Sequence, residues 1–147
     1  MIRFWDTSAL VKVYSPTEPG HREVVARLHG RRGRAVRHTT SMIAAVELVT
    51  ALVRRTGDRA LAAAALRQLE AFSQVEFGAQ HRDLALRLGL SGGARGADTA
   101  IAAQALVLVE AATGPVEFVT ADGPQAALVR REARRRALDL QVVELPA

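Results

Sequence analysis

Short, β-rich apolar runs alternate with longer helical patterns along this chain of 147 residues. Strands that take turns with helices are typical of a parallel sheet with helices on both faces. We therefore predict a three-layer α/β/α fold with a central parallel sheet of about five strands, in a single domain over residues 1–147. The strand candidates are residues 2–5 (IRFW), 35–40 (AVRHTT), 75–77 (VEF), 116–120 (VEFVT) and 140–145 (LQVVEL).

Polar residues mark where the helices begin. The segment 6–8 (DTS) closes the first strand and can cap a short helix over 9–14, while Ser41 can cap a helix over 42–55. Asp122 can likewise act as a turn and cap residue before a helix over 125–136.

The longest apolar stretch, residues 99–109, follows a glycine-rich segment at 92–96 that we interpret as a flexible loop. A bilayer span needs about 20 apolar residues, so this stretch predicts a buried helix and no membrane association. At the N-terminus, Asp6 and Lys12 interrupt the apolar run before a signal-peptide core of normal length could form. We expect a cytoplasmic protein.

Composition restricts the possible chemistry. The chain has no cysteine and only 4 histidines, which lie far apart in sequence, so disulfides and thiolate metal sites are excluded. The net charge is +5, and all but one of the 20 basic residues are arginine. Arginine suits phosphate because its planar fork donates two hydrogen bonds, but a GC-rich genome also favours arginine over lysine. The charge therefore permits a nucleic-acid partner without identifying one.

Four acidic residues stand at positions that invite a chemical interpretation, although each has an ordinary structural one. Asp6, Asp98 and Asp122 can cap the helices that follow them. Glu47 lies beside the apolar stripe of the predicted helix over 42–55, where it could reach solvent at the rim of the stripe.

Together the four carboxylates predict a metal site. Parallel strands present their carboxyl ends at one edge of a sheet, so residues that follow different strands can meet there. Carboxylates about 5 Å apart repel by about 3 kcal/mol per pair at an effective dielectric constant of 20, and a cation relieves this repulsion. Oxygen ligands in this number favour Mg²⁺ or Mn²⁺.

Four segments resemble, in order, the four acidic motifs of PIN-domain nucleases, especially the VapC-type toxins of toxin–antitoxin pairs. They are residues 6–10 (DTSAL), 45–48 (AVEL), 95–100 (RGADTA) and 118–122 (FVTAD), and the match runs nearly end to end. Two departures stand out: residues 100–102 read AIA where the family usually has a Leu-His-Leu-like run, and Gln125 stands where it usually has leucine.

The resemblance implies a PIN-like fold and a Mg²⁺- or Mn²⁺-dependent endoribonuclease, a hydrolase in which a metal-activated water attacks the RNA phosphodiester. It assigns the catalytic and metal-ligating roles to Asp6, Glu47, Asp98 and Asp122. Second-tier candidates for substrate contact or for orienting water are Thr7, Ser8, Thr120 and Arg95, for which capping, turn bonds or an exposed loop arginine are equal alternatives.

The resemblance also implies a VapB-like antitoxin seated in a hydrophobic groove, and a homodimer. The predicted helices over 18–30 and 41–55 could supply either surface or could belong to the core. Their apolar residues are Val24, Val25, Leu28, Leu48 and Leu52. We interpret the arginine cluster at 130–136 as a solvated helix face rather than an RNA track.

Other protein classes fit the sequence less well. A phosphatase of the haloacid type needs an aspartate where Ser8 stands, and a response-regulator receiver needs a lysine after its fifth strand, whereas Lys12 is the only lysine. A PIN-like scaffold without activity is an alternative, although retention of all four acidic positions argues against it. An RNA-processing PIN nuclease without an antitoxin is a further alternative.

Overall fold

The computed structural model describes residues 1–30, 35–92 and 94–147, so Gly93 of the predicted glycine-rich loop lies outside the described residues. Every neighbouring strand pair of the five-stranded sheet is parallel, in the order β3-β2-β1-β4-β5, which confirms the predicted fold class. The strands are β1 (Ile2–Trp5), β2 (Arg37–Ser41), β3 (Ser73–Val75), β4 (Val116–Thr120) and β5 (Leu140–Glu144).

Helices connect the strands and cover both faces of the sheet. They are α1 (Thr7–Val13), α2 (His21–His29), α3 (Met42–Thr56), α4 (Arg59–Leu69), α5 (Ala79–Leu90), α6 (Gly96–Ala111) and α7 (Gly123–Arg135). Within the described ranges, none of these helices combines the length and apolar character needed to span a bilayer.

Two neighbouring residues of β1 show how the layers form. Successive strand side chains point to opposite faces, so Phe4 and Trp5 enter different cores, and both are fully buried. Phe4 stacks on Phe118 of β4 with ring centroids 5.9 Å apart and belongs to the core built by α5, α6 and α7. Trp5 belongs to the opposite core, which takes in Leu10 of α1 and Leu48 of α3.

The third strand begins earlier than the sequence predicts, at Ser73 rather than Val75. It lies at the edge of the described sheet, where it pairs with β2, and its first two residues, Ser73 and Gln74, are exposed. These two residues lack the apolar pattern that marks buried strands. The predicted 75–77 run fails because the chain has already left the sheet at Phe77, which is 41% exposed.

Asp98 is not the N-cap of its helix, which differs from the ordinary structural interpretation of this residue. Helix α6 begins at Gly96, with Arg95 as the N-cap, and Asp98 is the third helical residue. Its Oδ2 accepts a hydrogen bond from the backbone N–H of Arg95 at 3.3 Å. The other three predicted caps are confirmed, with side chains that accept from a backbone N–H: Asp6 from Ser8, Ser41 from Ile43 and Asp122 from Gln125.

The apolar residues considered for a partner groove serve the core instead. Val24, Leu48 and Leu52 are at most 1% exposed. Val25 and Leu28 are half-buried and pack against the same core. Burying these side chains on α2 and α3 stabilises the chain itself, so they do not form a free hydrophobic surface.

Candidate active site

The candidate site lies at the carboxyl end of the sheet, beside the two strands where the chain order reverses. The chain runs from β1 to β2 on one side of β1 and later returns to β4 on its other side. Asp6 follows β1 and Asp122 follows β4, and the Asp6 N–H donates to the carbonyl of Val119 at 3.0 Å. Ligands of open α/β sheets bind at such a switch point.

A cavity of about 380 Å³ opens at this point, and all four predicted carboxylates line it. Three of the second-tier candidates also line it, whereas Thr120 is fully buried behind the wall. The predicted residues on the cavity are Asp6, Thr7, Ser8, Glu47, Arg95, Asp98 and Asp122. The structure thus brings together residues that are separated by up to 116 positions in sequence, from 6 to 122.

Asp6 is the most deeply buried of the carboxylates, at 2% exposure. Its Oδ2 accepts from the Ser8 N–H at 3.0 Å, the Ser8 hydroxyl at 2.6 Å and the Thr120 hydroxyl at 3.0 Å. Its buried Oδ1 has no hydrogen-bond partner among the residues that the structure describes. Burial raises the pKa of Asp6, and hydrogen bonds from Ser8 and Thr120 oppose that rise.

Asp98 carries the electrostatic signature of a shared acidic site. Burial raises the pKa of Asp98, and the charges of Asp6 and Asp122 raise it further, while Arg95 opposes the rise. Its side chain is 21% exposed, on the cavity. Three carboxylates therefore interact across this cavity, although they come from three separate segments of the chain.

Glu47 reaches the cavity from α3, where it is half-buried as its position beside the apolar stripe predicts. The Thr7 hydroxyl donates to Glu47 Oε2 at 2.7 Å and so connects the start of α1 to α3. This bond holds the glutamate carboxylate in a fixed orientation relative to the strand end that carries Asp6.

The residues fit a hard divalent cation. Four carboxylates line the cavity, and the buried Asp6 Oδ1, to which no described group donates, is an available ligand atom. Within residues 1–30, 35–92 and 94–147, no three acidic or histidine side chains lie close enough to ligate one ion directly. Mg²⁺ commonly keeps several waters and takes only one or two carboxylates directly, so this spacing suits a partly hydrated ion.

Basic groups flank the cavity. Arg95 is 90% exposed, with its Nε 3.9 Å from Asp98 Oδ2. On another side, the buried Lys12 ammonium donates to the Pro19 carbonyl at 2.9 Å and lies 3.5 Å from Glu18, which also pairs with Arg55 at 2.7 Å. The cavity thus combines an acidic end with flanking positive charge.

Sequence reasoning missed several of these residues. Lys12, Glu18 and Arg55 line the cavity. The single lysine inside an apolar helix could have been recognised as unusual. The pairing of Glu18 with Arg55 gives no local signal, because 37 positions separate the two residues.

The arginine cluster at 130–136 forms ion pairs on α7 and directly after it. Each of four arginines lies within salt-bridge distance of a carboxylate, which reduces its availability to RNA. The pairs are Arg130 with Glu144, Arg131 and Arg135 with Glu132, and Arg136 with Glu110.

Comparisons with known proteins agree with this architecture. The structure is similar to Mycobacterium tuberculosis VapC20, described as a sarcin–ricin loop cleaving toxin (21% identity, 85% of this chain and 93% of that chain covered, TM-score 0.66). It is also similar to VapBC-1 of nontypeable Haemophilus influenzae (17% identity, 98% of both chains, TM-score 0.64). A third similar structure is VapBC2 of Rickettsia felis bound to a DNA fragment from their promoter (17% identity, 99% of both chains, TM-score 0.61).

At these low identities, the structural similarity establishes a common fold and nothing more. No curated protein matches the chain. The model of the PIN domain family, however, matches residues 3–123, which include all four acidic positions. The chain therefore belongs to the PIN-domain family.

Proposed function

We propose that the protein is a cytoplasmic, metal-dependent endoribonuclease and the toxin of a toxin–antitoxin pair. The observation that carries the proposal is one cavity lined by Asp6, Glu47, Asp98 and Asp122, with a buried Asp6 oxygen that accepts no hydrogen bond from the described residues. The similarity to VapC20, described as a sarcin–ricin loop cleaving toxin, supports RNA as the substrate.

Asp6, Glu47, Asp98 and Asp122 would hold one or two Mg²⁺ or Mn²⁺ ions, directly or through water. Such an ion, when bound, lowers the pKa of a water and neutralises negative charge at the reacting phosphate. The family pattern suggests hydrolysis to a 3′-hydroxyl and a 5′-phosphate.

The other residues of the site would bind and orient. Ser8 and Thr120 hold one oxygen of Asp6 through their hydroxyls, which leaves the other oxygen free for a ligand. Thr7 orients Glu47. Arg95, exposed at the mouth, would attract the phosphate backbone of single-stranded RNA without sequence preference.

The partners and the domain extent are part of the proposal. Structures of VapBC complexes supply the precedent for a VapB-like antitoxin. A homodimer remains a prediction from the family. We also propose that the single domain covers residues 1–147, because α7 and β5 pack on the same sheet beyond the matched residues 3–123.

The test is nuclease activity of the purified protein on an RNA mixture, with Mn²⁺ or with EDTA. We expect cleavage with Mn²⁺ that EDTA abolishes. Asp98→Asn should lose the activity, whereas Asp58→Asn, which changes an exposed cap at the start of α4, should keep it. Cleavage that survives EDTA would refute the metal mechanism, and a complete lack of cleavage would favour a scaffold role. An adjacent antitoxin gene would distinguish a toxin from an RNA-processing nuclease.

A further inference from the structure

Gln125 places a fully buried amide against the acidic cavity. It lies in the first turn of α7 at 0% exposure, at a position where the VapC-type pattern usually has leucine. A buried amide is tolerated when its polar atoms have partners, so its contacts indicate what it does.

The side chain of Gln125 joins segments that carry different carboxylates. Its Oε1 accepts from the Thr120 hydroxyl at 2.9 Å, and its Nε2 lies 3.4 Å from the backbone carbonyl of Asp98, a long hydrogen bond. Its backbone N–H donates to Asp122 Oδ1 at 2.8 Å. One residue thus contacts the end of β4, the start of α6 and the cap of α7, and through Thr120 it reaches Asp6.

The Thr120 hydroxyl is the point where Gln125 influences Asp6. A hydroxyl has one proton, and three oxygens lie within reach of it: Asp6 Oδ2 at 3.0 Å, Gln125 Oε1 at 2.9 Å and the Ser8 hydroxyl at 3.1 Å. Asp6 Oδ2 already receives the Ser8 hydroxyl at 2.6 Å. Gln125 therefore determines how much of the Thr120 proton the Asp6 carboxylate receives.

We propose that Gln125 is a positioning residue, which holds Asp6 and Asp98 in the arrangement that binds the divalent cation. It acts through Thr120 and through the Asp98 backbone and does not itself contact the cation or the RNA. The inference rests on the proposed function and deepens it, because it adds a residue of this chain that the family pattern does not supply.

The test compares two buried glutamines. Gln125→Met removes the amide at similar side-chain length, and Gln104→Met makes the same change at an equally buried residue of α6. Gln104 bonds Ser41 at 2.6 Å and the Val75 carbonyl at 2.8 Å, and neither partner lines the cavity in the described structure, whereas Gln125 contacts Asp98 and Asp122, which do. Both variants lose buried hydrogen bonds. A difference in Mn²⁺ affinity between them therefore reports the positioning role of Gln125 and not the general loss of a buried amide.

The main measurement is Mn²⁺ affinity of the RNA-free protein by calorimetry, with thermal melts to establish folding. We expect Gln125→Met to bind Mn²⁺ about 10- to 100-fold more weakly, which is the loss that typically follows removal of a group that orients metal ligands. Gln104→Met should match the wild type. At fixed, subsaturating Mn²⁺, Gln125→Met should lower kcat and leave the KM for RNA unchanged.

Wild-type Mn²⁺ affinity in folded Gln125→Met would overturn this inference and leave the proposed function intact. Absence of Mn²⁺ binding by the wild type would overturn the proposed function and this inference with it. If Gln125→Met does not fold, Gln125→Leu, the usual family residue, carries the same expectation and the same refutation.

Discussion

Thr7 and Glu47 are joined by a hydrogen bond of 2.7 Å across 40 positions of sequence. Thr7 is the first residue of α1, directly after Asp6, and Glu47 lies within α3. The bond therefore couples the orientation of one carboxylate to the strand end that carries another. Outer partners of metal ligands typically contribute 10- to 100-fold to metal affinity or activity, roughly the effect to expect here.

Thr7→Val should lower kcat/KM with Mn²⁺ by about 10- to 100-fold, because it leaves Glu47 without its hydroxyl donor. Thr7→Ser, which keeps the hydroxyl, should recover most of the activity. Thr50→Val is the control, since the Thr50 hydroxyl donates to the Val46 carbonyl of its own helix. Initial rates of RNA cleavage give kcat/KM for each of these variants. Equal activity in Thr7→Val and Thr50→Val would show that the bond is structural.

Asp98→Asn should stabilise the metal-free protein at neutral pH. The raised pKa of Asp98 means that the folded state holds the proton more tightly than the unfolded chain, in which the aspartate pKa is about 3.9. Below about pH 4 this group is protonated in both states, and it destabilises the fold progressively as pH rises through its raised pKa. The variant should therefore exceed the wild type in melting temperature at neutral pH, and the difference should shrink toward about pH 4.

The same variant should lose at least about 100-fold in RNA cleavage, the upper end of the range for outer partners, because a proposed ligand is changed. Asparagine keeps an oxygen that can accept from the Arg95 N–H, so this hydrogen bond at the start of α6 survives. Thermal melts without metal, with Asp58→Asn as the exposed control, test the stability effect. A large loss of stability in Asp98→Asn would instead identify a purely structural cap.

The sequence predicts the strands well where an apolar pattern marks them. The runs at β1, β4 and β5 carry a clear apolar pattern, and the structure confirms them within a residue. The edge strand β3 begins with the exposed, polar Ser73 and Gln74, and its position was wrong for that reason. Local patterns thus find a strand through its apolar residues: the edge strand β5 carries them, whereas the first two residues of the edge strand β3 do not.

The candidate site was predictable only as a set. Asp6 and Asp122 are helix caps, as their ordinary interpretation says, and they also line the cavity. The order of the acidic segments, rather than any one residue, pointed to their convergence. Glu18 could not be found this way, because its partner Arg55 lies 37 positions away in another element.

Mn²⁺ should raise the melting temperature of the wild type. A ligand at 100 times its dissociation constant stabilises the folded state by about 2.7 kcal/mol. Since burial raises the pKa of both Asp6 and Asp98, protons compete with the cation, and the increase should be smaller at about pH 5 than at about pH 8. Asp98→Asn should reduce it at both pH values. An undiminished increase in that variant would place the ion elsewhere.

Arg95→Ala should weaken RNA binding rather than the chemical step. The Arg95 side chain is 90% exposed, and its 3.9 Å approach to Asp98 is too exposed to add much stability. If the guanidinium meets one phosphate of single-stranded RNA, its loss should raise KM and flatten the dependence of log kcat/KM on log salt by about 0.7. Arg82→Ala, an exposed arginine beside Asp83, should keep the wild-type slope. A fall in kcat with an unchanged salt slope would mean that Arg95 acts on Asp98 and not on RNA.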